Sequence, residues 1–146
     1  MTYHIPIPRY LAHYLAQAFG QGPYSSQHFE PKLWNRIAQA FQQYPVRKIR
    51  SLADQHFLAI TLSESLIKQR RFHVRPEREK QIARLFTNMM YEELYLFMDS
   101  QRPNRKIVEA LTEWCAHYDI SEDDLAQDTL KKRYYRHREA KKNLGL

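Results

Sequence analysis

The segment from Pro76 to Ser100 constrains the fold most, because its apolar residues cover more than one face of the helix that their spacing predicts. Proline suits the first turn of a helix, and Glu77 and Glu79 place negative charge where the helix dipole favours it. A helix with so wide an apolar surface must be covered on two sides, either by the rest of the chain or by a second copy. We therefore predict a long helix over 76–100 and a homodimer that pairs through it.

The length and composition of the whole chain are sufficient for about one domain, and its patterns predict both helices and strands. The chain has 146 residues, and 43% of them are hydrophobic, which is enough to form a core. Apolar residues recur at helical spacing after Pro8 and again over 31–43. Residues that favour β-structure dominate Phe57–Leu62, which predicts a strand with two possible partners, Val46–Arg50 and Arg71–Val74. The predicted fold class is α+β, mostly α, with a small sheet of two or three strands.

A block after Pro103 has the pattern of three successive helices. The first is predicted from a cap at Asn104 to Tyr118, and the second is a short helix over 121–126 that begins with a variant of the capping box. Asp128 is predicted to cap a third helix that is rich in Lys and Arg. A helix, a short helix and a basic helix in this order are typical of a helix-turn-helix unit. We therefore predict an α+β scaffold and dimerisation region over 1–102 and a C-terminal helix-turn-helix unit over 103–146.

The third predicted helix has an apolar side and a basic side. Leu130, Tyr134 and His137 fall together on a helical wheel and form the narrow face that is expected to pack on Trp114 and Leu125. The basic side suits the major groove of duplex DNA, where the first residues of a recognition helix usually face the bases and the later ones the backbone. We predict base or near-base contacts by Thr129, Lys131, Lys132 and Tyr135, and phosphate contacts by Arg136, Arg138, Lys141 and Lys142.

Other basic clusters are weaker candidates for the same partner. Arg102, Arg105 and Lys106 lie at the start of the first helix of the unit, which often crosses the DNA backbone, so Arg105 and Lys106 are included among the predicted contacts. For two further clusters, within 47–50 and 68–80, a solvated surface is the favoured interpretation. The net charge of +7 favours an anionic partner without identifying it.

Residues 104–139 resemble the small trihelical helix-turn-helix unit of bacterial transcription regulators, in the pattern DDLAQDTLKKRYYRHR. In place of the usual small residue and glycine of the turn, this sequence has Ala126, Gln127 and Asp128. A fainter similarity, in IPIPRYLAHYLAQAFG and ISEDDLAQDTLKKRYYRHR, links the chain to uncharacterised proteins of prophages and mobile elements of Bacteroidetes-type bacteria. These resemblances imply DNA binding and a role in the control or replication of such an element.

The sequence contains no pattern that is typical of an enzyme or a metal site. Its seven histidines are scattered without ligand spacing, and no glycine-rich phosphate loop, signal peptide or membrane span is visible. One cysteine, Cys115, cannot form an internal disulfide, which favours a cytoplasmic location. We therefore predict a non-enzymatic cytoplasmic protein without metal, cofactor, membrane association or small-molecule substrate.

Three alternatives remain open at this point. The segment KKRYYRHR can be a solvated helix end whose cations complement the helix dipole. The same tyrosines and arginines can dock an acidic protein surface, as in an interaction or structural protein of a mobile element. A nuclease or replication enzyme is a third alternative, because acidic residues from distant segments can gather around a metal.

Overall fold

The long helix predicted over 76–100 is present and extends from Pro76 to Gln101 in the computed structural model, which describes residues 2–40, 42–43, 56–62, 72–73, 76–102 and 104–145. The fold is α+β and mostly α, as predicted. In chain order, the elements are β1 (Thr2–Ile7), α1 (Arg9–Phe19), a 3₁₀ turn (Ser26–His28), α2 (Pro31–Ala40), β2 (Gln42–Gln43), β3 (His56–Thr61), β4 (Phe72–His73), α3 (Pro76–Gln101), α4 (Ile107–His117) and α5 (Gln127–Asn143).

The N-terminal strand β1 pairs with β3, a pairing that the sequence analysis did not predict. The two strands are antiparallel, with Ile5 opposite Leu58 and Tyr3 opposite Ile60. Ile5, Leu58 and Ile60 are buried, as expected where one face of a sheet packs on the core. Proline at position 6 concealed the strand in the sequence, because proline lacks the amide donor and is tolerated only at sheet edges and bulges.

The strand β4 has a different partner from the predicted one. Phe72–His73 lies antiparallel to Gln42–Gln43, so the expectation that 71–74 pairs with 57–62 was wrong. The same pairing explains why α2 ends at Ala40, three residues before the predicted end of the helix. The alternative partner, Val46–Arg50, lies outside the described residues.

Most of the wide apolar surface of α3 is covered by the chain itself, although Leu96 is exposed. Buried side chains recur every four residues at Ile82, Phe86, Met90, Leu94 and Met98. The helix packs against α1, α2, α4, α5 and β1. The homodimer was predicted because this apolar surface has to be covered. Since the rest of the chain covers its buried faces, those faces do not support a second copy, and the homodimer stays a prediction. None of the described helices combines the length and the apolar character needed to cross a bilayer.

The predicted short helix over 121–126 is a turn in the structure. Its hydrogen bonds run from the Leu125 amide to the Ser121 carbonyl at 3.0 Å and from the Asp124 amide to the Ser121 hydroxyl at 3.3 Å. The chain then becomes extended at Ala126, with ψ of 136°, so the turn cannot propagate. Helix nucleation is costly, and one turn that is followed by extended backbone does not recover that cost.

Both long helices of the C-terminal block are confirmed, but their predicted caps are wrong. The N-cap of α4 is Lys106 and not Asn104, and the N-cap of α5 is Ala126 and not Asp128. Neither N-cap makes a side-chain capping bond. Packing of buried faces, rather than capping by the predicted residues, therefore fixes where these helices lie.

The hydrophobic core is continuous across residues 102–103. The ring of Tyr14 in α1 lies 6.2 Å from that of Trp114 and 4.8 Å from that of Tyr118. His13 Nδ1 is 2.6 Å from the Asp119 carbonyl oxygen, which ties α1 to the segment between α4 and α5. The division into 1–102 and 103–146 stays a prediction.

Candidate nucleic-acid interface

The basic helix α5 has one buried face and one accessible face. Leu130 and Tyr134 are fully buried, as the helical wheel predicted, and the helix contacts α3 and α4. His137, the third residue of the predicted narrow face, is partly buried and stacks on Tyr95 of α3 with ring centroids 4.3 Å apart. The helix is therefore neither a detached tail nor enclosed by its own protein.

Asp99, near the end of α3, fixes the C-terminal half of α5. The Tyr134 hydroxyl donates to Asp99 Oδ1 at 2.8 Å, and Lys141 Nζ donates to Oδ2 at 2.8 Å. His137 Nε2 lies 3.2 Å from the same Oδ2. Burial alone raises the pKa of Asp99, but hydrogen bonds from Lys141, Tyr134 and His137 and the Lys141 charge outweigh it and lower the pKa. An ionised carboxylate thus holds α5 against α3 through three side chains.

A second set of contacts holds the opposite flank of α5. The Arg133 guanidinium lies 4.0 Å above the ring of Tyr91, within the range of a cation–π interaction. Tyr91 stacks on Tyr95, which in turn stacks on His137. Arg133 therefore contacts α3 although its side chain remains exposed.

Glu93 holds α4 against α3. Trp114 Nε1 donates to Glu93 Oε2 at 2.6 Å, and the Tyr118 hydroxyl donates to Oε1 at 3.0 Å. Burial and the neighbouring Glu93 carboxylate raise the pKa of Tyr118 to about 12. Both helices that flank the turn are thus anchored to α3 by a carboxylate, Glu93 for α4 and Asp99 for α5.

The predicted site residues differ in whether they form ion pairs and in how exposed their side chains are. Lys132 forms an i,i+4 pair with Asp128 at 3.0 Å, and Lys141 is paired with Asp99. Arg105 pairs with Glu113 at the start of α4. Lys131, Arg138 and Arg105 are half-buried, whereas the other seven are exposed: Thr129, Lys132, Tyr135, Arg136, Lys141, Lys142 and Lys106.

The start of α5 lies among acidic side chains. Glu122 accepts a hydrogen bond from the Gln127 amide at 3.0 Å, and Asp128 lies in the first turn. Carboxylates at this end disfavour close approach of DNA to Thr129 and Lys132. The arrangement therefore favours the predicted phosphate contacts in the second half of α5 over the predicted base contacts in the first.

A cleft of about 460 Å³ lies between the end of α3 and the second half of α5. It brings predicted phosphate contacts together with Arg102, which neighbours them in space but not in sequence. Four cations face two carboxylates there, and one of those carboxylates, Asp99, already accepts three hydrogen bonds. The lining side chains are Asp99, Arg102, Tyr135, Arg138, Glu139, Lys141 and Lys142.

A second cleft of similar volume, about 470 Å³, lies between α2 and α3. Two cations, Lys32 and Arg36, face two carboxylates, Glu30 and Glu92. Because these charges balance, this cleft lacks the positive excess that attracts a polyanion.

Sequence reasoning missed the role of Asp99 and placed Arg102 only in a minor cluster. Asp99 is 35 residues from Tyr134 and 42 from Lys141, so no local spacing connects them. The basic clusters within 47–50 and 68–80 fall almost entirely outside the described side chains. Among the side chains that are described, no group of three or more His, Cys, Asp or Glu is arranged to hold a metal ion.

Comparisons with models of known protein families, with curated proteins and with solved structures gave no match for this chain.

Proposed function

We propose that the protein binds duplex DNA without catalysing a reaction, through the accessible basic flank of α5 and the adjoining end of α3. The observation that supports this proposal is the one-sided anchoring of α5. Leu130 and Tyr134 are buried beneath the helix, while Tyr135, with 40% of its surface exposed, Arg136 and Lys142 remain accessible.

Because α5 is held rigidly, the interpretation of its cations as a nucleic-acid-binding surface is favoured over their interpretation as a solvated helix end. Long basic side chains on a frayed helix lose conformational entropy when they bind, whereas a helix that is already fixed avoids part of that cost. Phosphate neutralisation by Lys and Arg dominates the affinity of most DNA-binding proteins. The net charge of +7 acts in the same direction by attracting a polyanion over longer distances.

The contacts that we propose are chiefly to the DNA backbone. The turn at 122–125 replaces the middle helix of a trihelical unit, and the first turn of α5 is acidic. Both features favour recognition of shape and phosphate over reading of base edges. We further propose that the protein acts in the control or replication of a mobile element, as the resemblances imply. A cytoplasmic location and a homodimer, which the sequence predicted on other grounds, remain part of the proposal.

Fluorescence anisotropy with a random-sequence duplex at several salt concentrations tests the proposal. Five accessible or cleft-lining cations (Lys131, Arg136, Arg138, Lys142 and Arg102) give a log–log slope of about −4.5 if each neutralises one phosphate. The double variant Arg136→Ala/Lys142→Ala should weaken binding by about tenfold or more and reduce the slope by about 2.

The matched control is Lys32→Ala/Arg36→Ala, which removes the same charge from exposed positions on α2. It should retain most of the affinity and nearly the whole slope. Equal losses of duplex affinity in the two double variants would show that the binding surface does not lie on α5. A folded wild-type protein that does not bind duplex at low salt would overturn the proposal and favour an acidic protein partner.

A further inference from the structure

We propose that the cleft between α3 and α5 is a binding site for one phosphate group, held by Arg102, Arg138 and Lys142 with the hydroxyl of Tyr135. The inference deepens the proposed function and rests on it for the identity of the molecule that carries the phosphate. The supporting geometry is that of the cleft itself, in which Arg102, immediately after α3, lies beside three side chains of α5.

The cleft retains a positive excess that its own carboxylates do not cancel. Asp99 is held by Lys141 at 2.8 Å, so these two opposite charges largely compensate each other. Glu139 is exposed and is the other carboxylate among the described lining residues. Three cations, Arg102, Arg138 and Lys142, therefore face one remaining acidic side chain.

Tyr134 lies beneath the cleft and is close to both of its arginines. The buried hydroxyl of Tyr134 donates a hydrogen bond to Asp99. Burial and the bond to Asp99 raise the pKa of Tyr134, although the nearby Arg102 guanidinium acts to lower it, so the hydroxyl stays protonated and keeps donating to Asp99. The Arg138 guanidinium carbon lies 5.9 Å from the centre of the same ring. Both arginines thus lie near one buried tyrosine that Asp99 holds in place.

Two arginines and a phenol that line one cleft suit a phosphate group in particular. A guanidinium presents parallel N–H donors that match two oxygens of a tetrahedral oxyanion, and hydrogen bonds between ions are stronger than neutral ones. The volume of about 460 Å³ exceeds that of a lone phosphate, so the cleft has room for the sugar to which the phosphate is attached. A backbone phosphodiester and a 5′-terminal phosphate share this chemistry, and the experiment distinguishes them.

The test measures phosphate and DNA binding separately on the full chain. Amide chemical shifts of ¹⁵N-labelled protein are followed while inorganic phosphate is added at constant ionic strength. Anisotropy then compares two duplexes of one sequence, of which one carries a 5′-phosphate and the other a 5′-hydroxyl. The cleft variant is Arg102→Gln/Arg138→Gln, and the matched control is Arg36→Gln/Arg84→Gln, which removes two exposed arginines elsewhere. Circular dichroism confirms that each variant is folded.

We expect phosphate to shift amides around residues 102, 135, 138 and 142 in the wild type and in the control but not in the cleft variant. Duplex affinity should fall by about tenfold or more in the cleft variant and much less in the control. A preference for the 5′-phosphorylated duplex assigns the site to a terminal phosphate, and equal affinities assign it to the backbone. Arg138→Lys, which keeps the charge and loses the paired donors, should show an intermediate loss.

Two results separate the failure of this inference from failure of the proposed function. Duplex binding that is equal in the cleft variant and the control, without phosphate-induced shifts at the cleft, overturns the site and leaves DNA binding intact. Shifts at the cleft in a wild-type protein that binds no duplex retain the phosphate site and overturn the proposed function.

Discussion

At the residue scale, Asp99 makes the structural contact on which the position of α5 depends most. Three donors from α5 converge on its two oxygens, and 31% of its side-chain surface remains exposed. Asp99→Asn removes the charge and one of the two carboxylate acceptors, so we expect the free energy of unfolding in urea to fall by about 1 to 2 kcal/mol. The control Asp128→Asn, which removes an exposed i,i+4 pair, should change it by about 0.5 kcal/mol or less.

The lowered pKa of Asp99 gives the stability a pH dependence whose sign can be stated. A carboxylate whose pKa is lower in the folded chain stabilises the fold fully above its ordinary value of 3.8, and this stabilisation disappears as the pH falls through the folded-state value. We expect wild-type protein to lose more stability than Asp99→Asn over this acidic range, in urea titrations at successive pH values. Parallel losses in the two proteins would show that the Asp99 bonds contribute little.

Cys115 is a residue whose burial can be measured directly, because it is the sole cysteine of the chain. Burial and the nearby Glu122 carboxylate raise the pKa of its thiol to about 11. At pH 8 the reactive thiolate is then about one part in a thousand, so Ellman's reagent should react far more slowly with native protein than with protein unfolded in guanidinium. Similar rates in both states would contradict the packing of α4 against the core.

At the scale of elements, the two faces of α5 should respond differently to truncation. Leu130→Ala removes a fully buried side chain, and we expect it to lower the free energy of unfolding by about 2 to 5 kcal/mol. Tyr135→Ala truncates a side chain at the cleft and should cost about 0.5 kcal/mol or less in stability while weakening duplex binding. Chemical denaturation and anisotropy measure the two effects on the same preparations. A large stability loss in Tyr135→Ala would show that α5 is buried on both sides.

The helices were predictable from the sequence because their signal is local, whereas the pairings of strands and carboxylates were not. The spacing of Leu130 and Tyr134 identified the buried face of α5 correctly. The pairing of β1 with β3 joins residues that are 49 to 59 positions apart, and proline in β1 hid its pattern. The convergence of Tyr134 on Asp99 likewise depends on how whole helices pack. The turn at 122–125 shows the limit of capping signals, since a cap starts a helix only where the following backbone can continue it.

At the scale of the whole molecule, one core joins the parts that the sequence divided at residues 102–103. Buried residues of α1, the β1–β3 sheet, α3, α4 and α5 form a single cluster. Shared apolar contacts of this kind raise the free energy of partial unfolding, because opening one part exposes the buried surface of the other. The anchoring of the basic helix therefore depends on the N-terminal elements as well as on its neighbours.

We expect the N-terminal and C-terminal elements to unfold in one transition, and the two tryptophans provide a test of it. Trp34 lies in α2 and Trp114 in α4, and both belong to the shared core. In Trp114→Phe the fluorescence reports α2, and in Trp34→Phe it reports α4, while circular dichroism reports all helices in each variant. Because a shared core couples the parts, the fluorescence and dichroism midpoints in urea should coincide within each variant, whatever its absolute stability. A Trp34 fluorescence midpoint that differs from the dichroism midpoint of the same protein would establish two independently folding units. The C-terminal block could then be studied on its own.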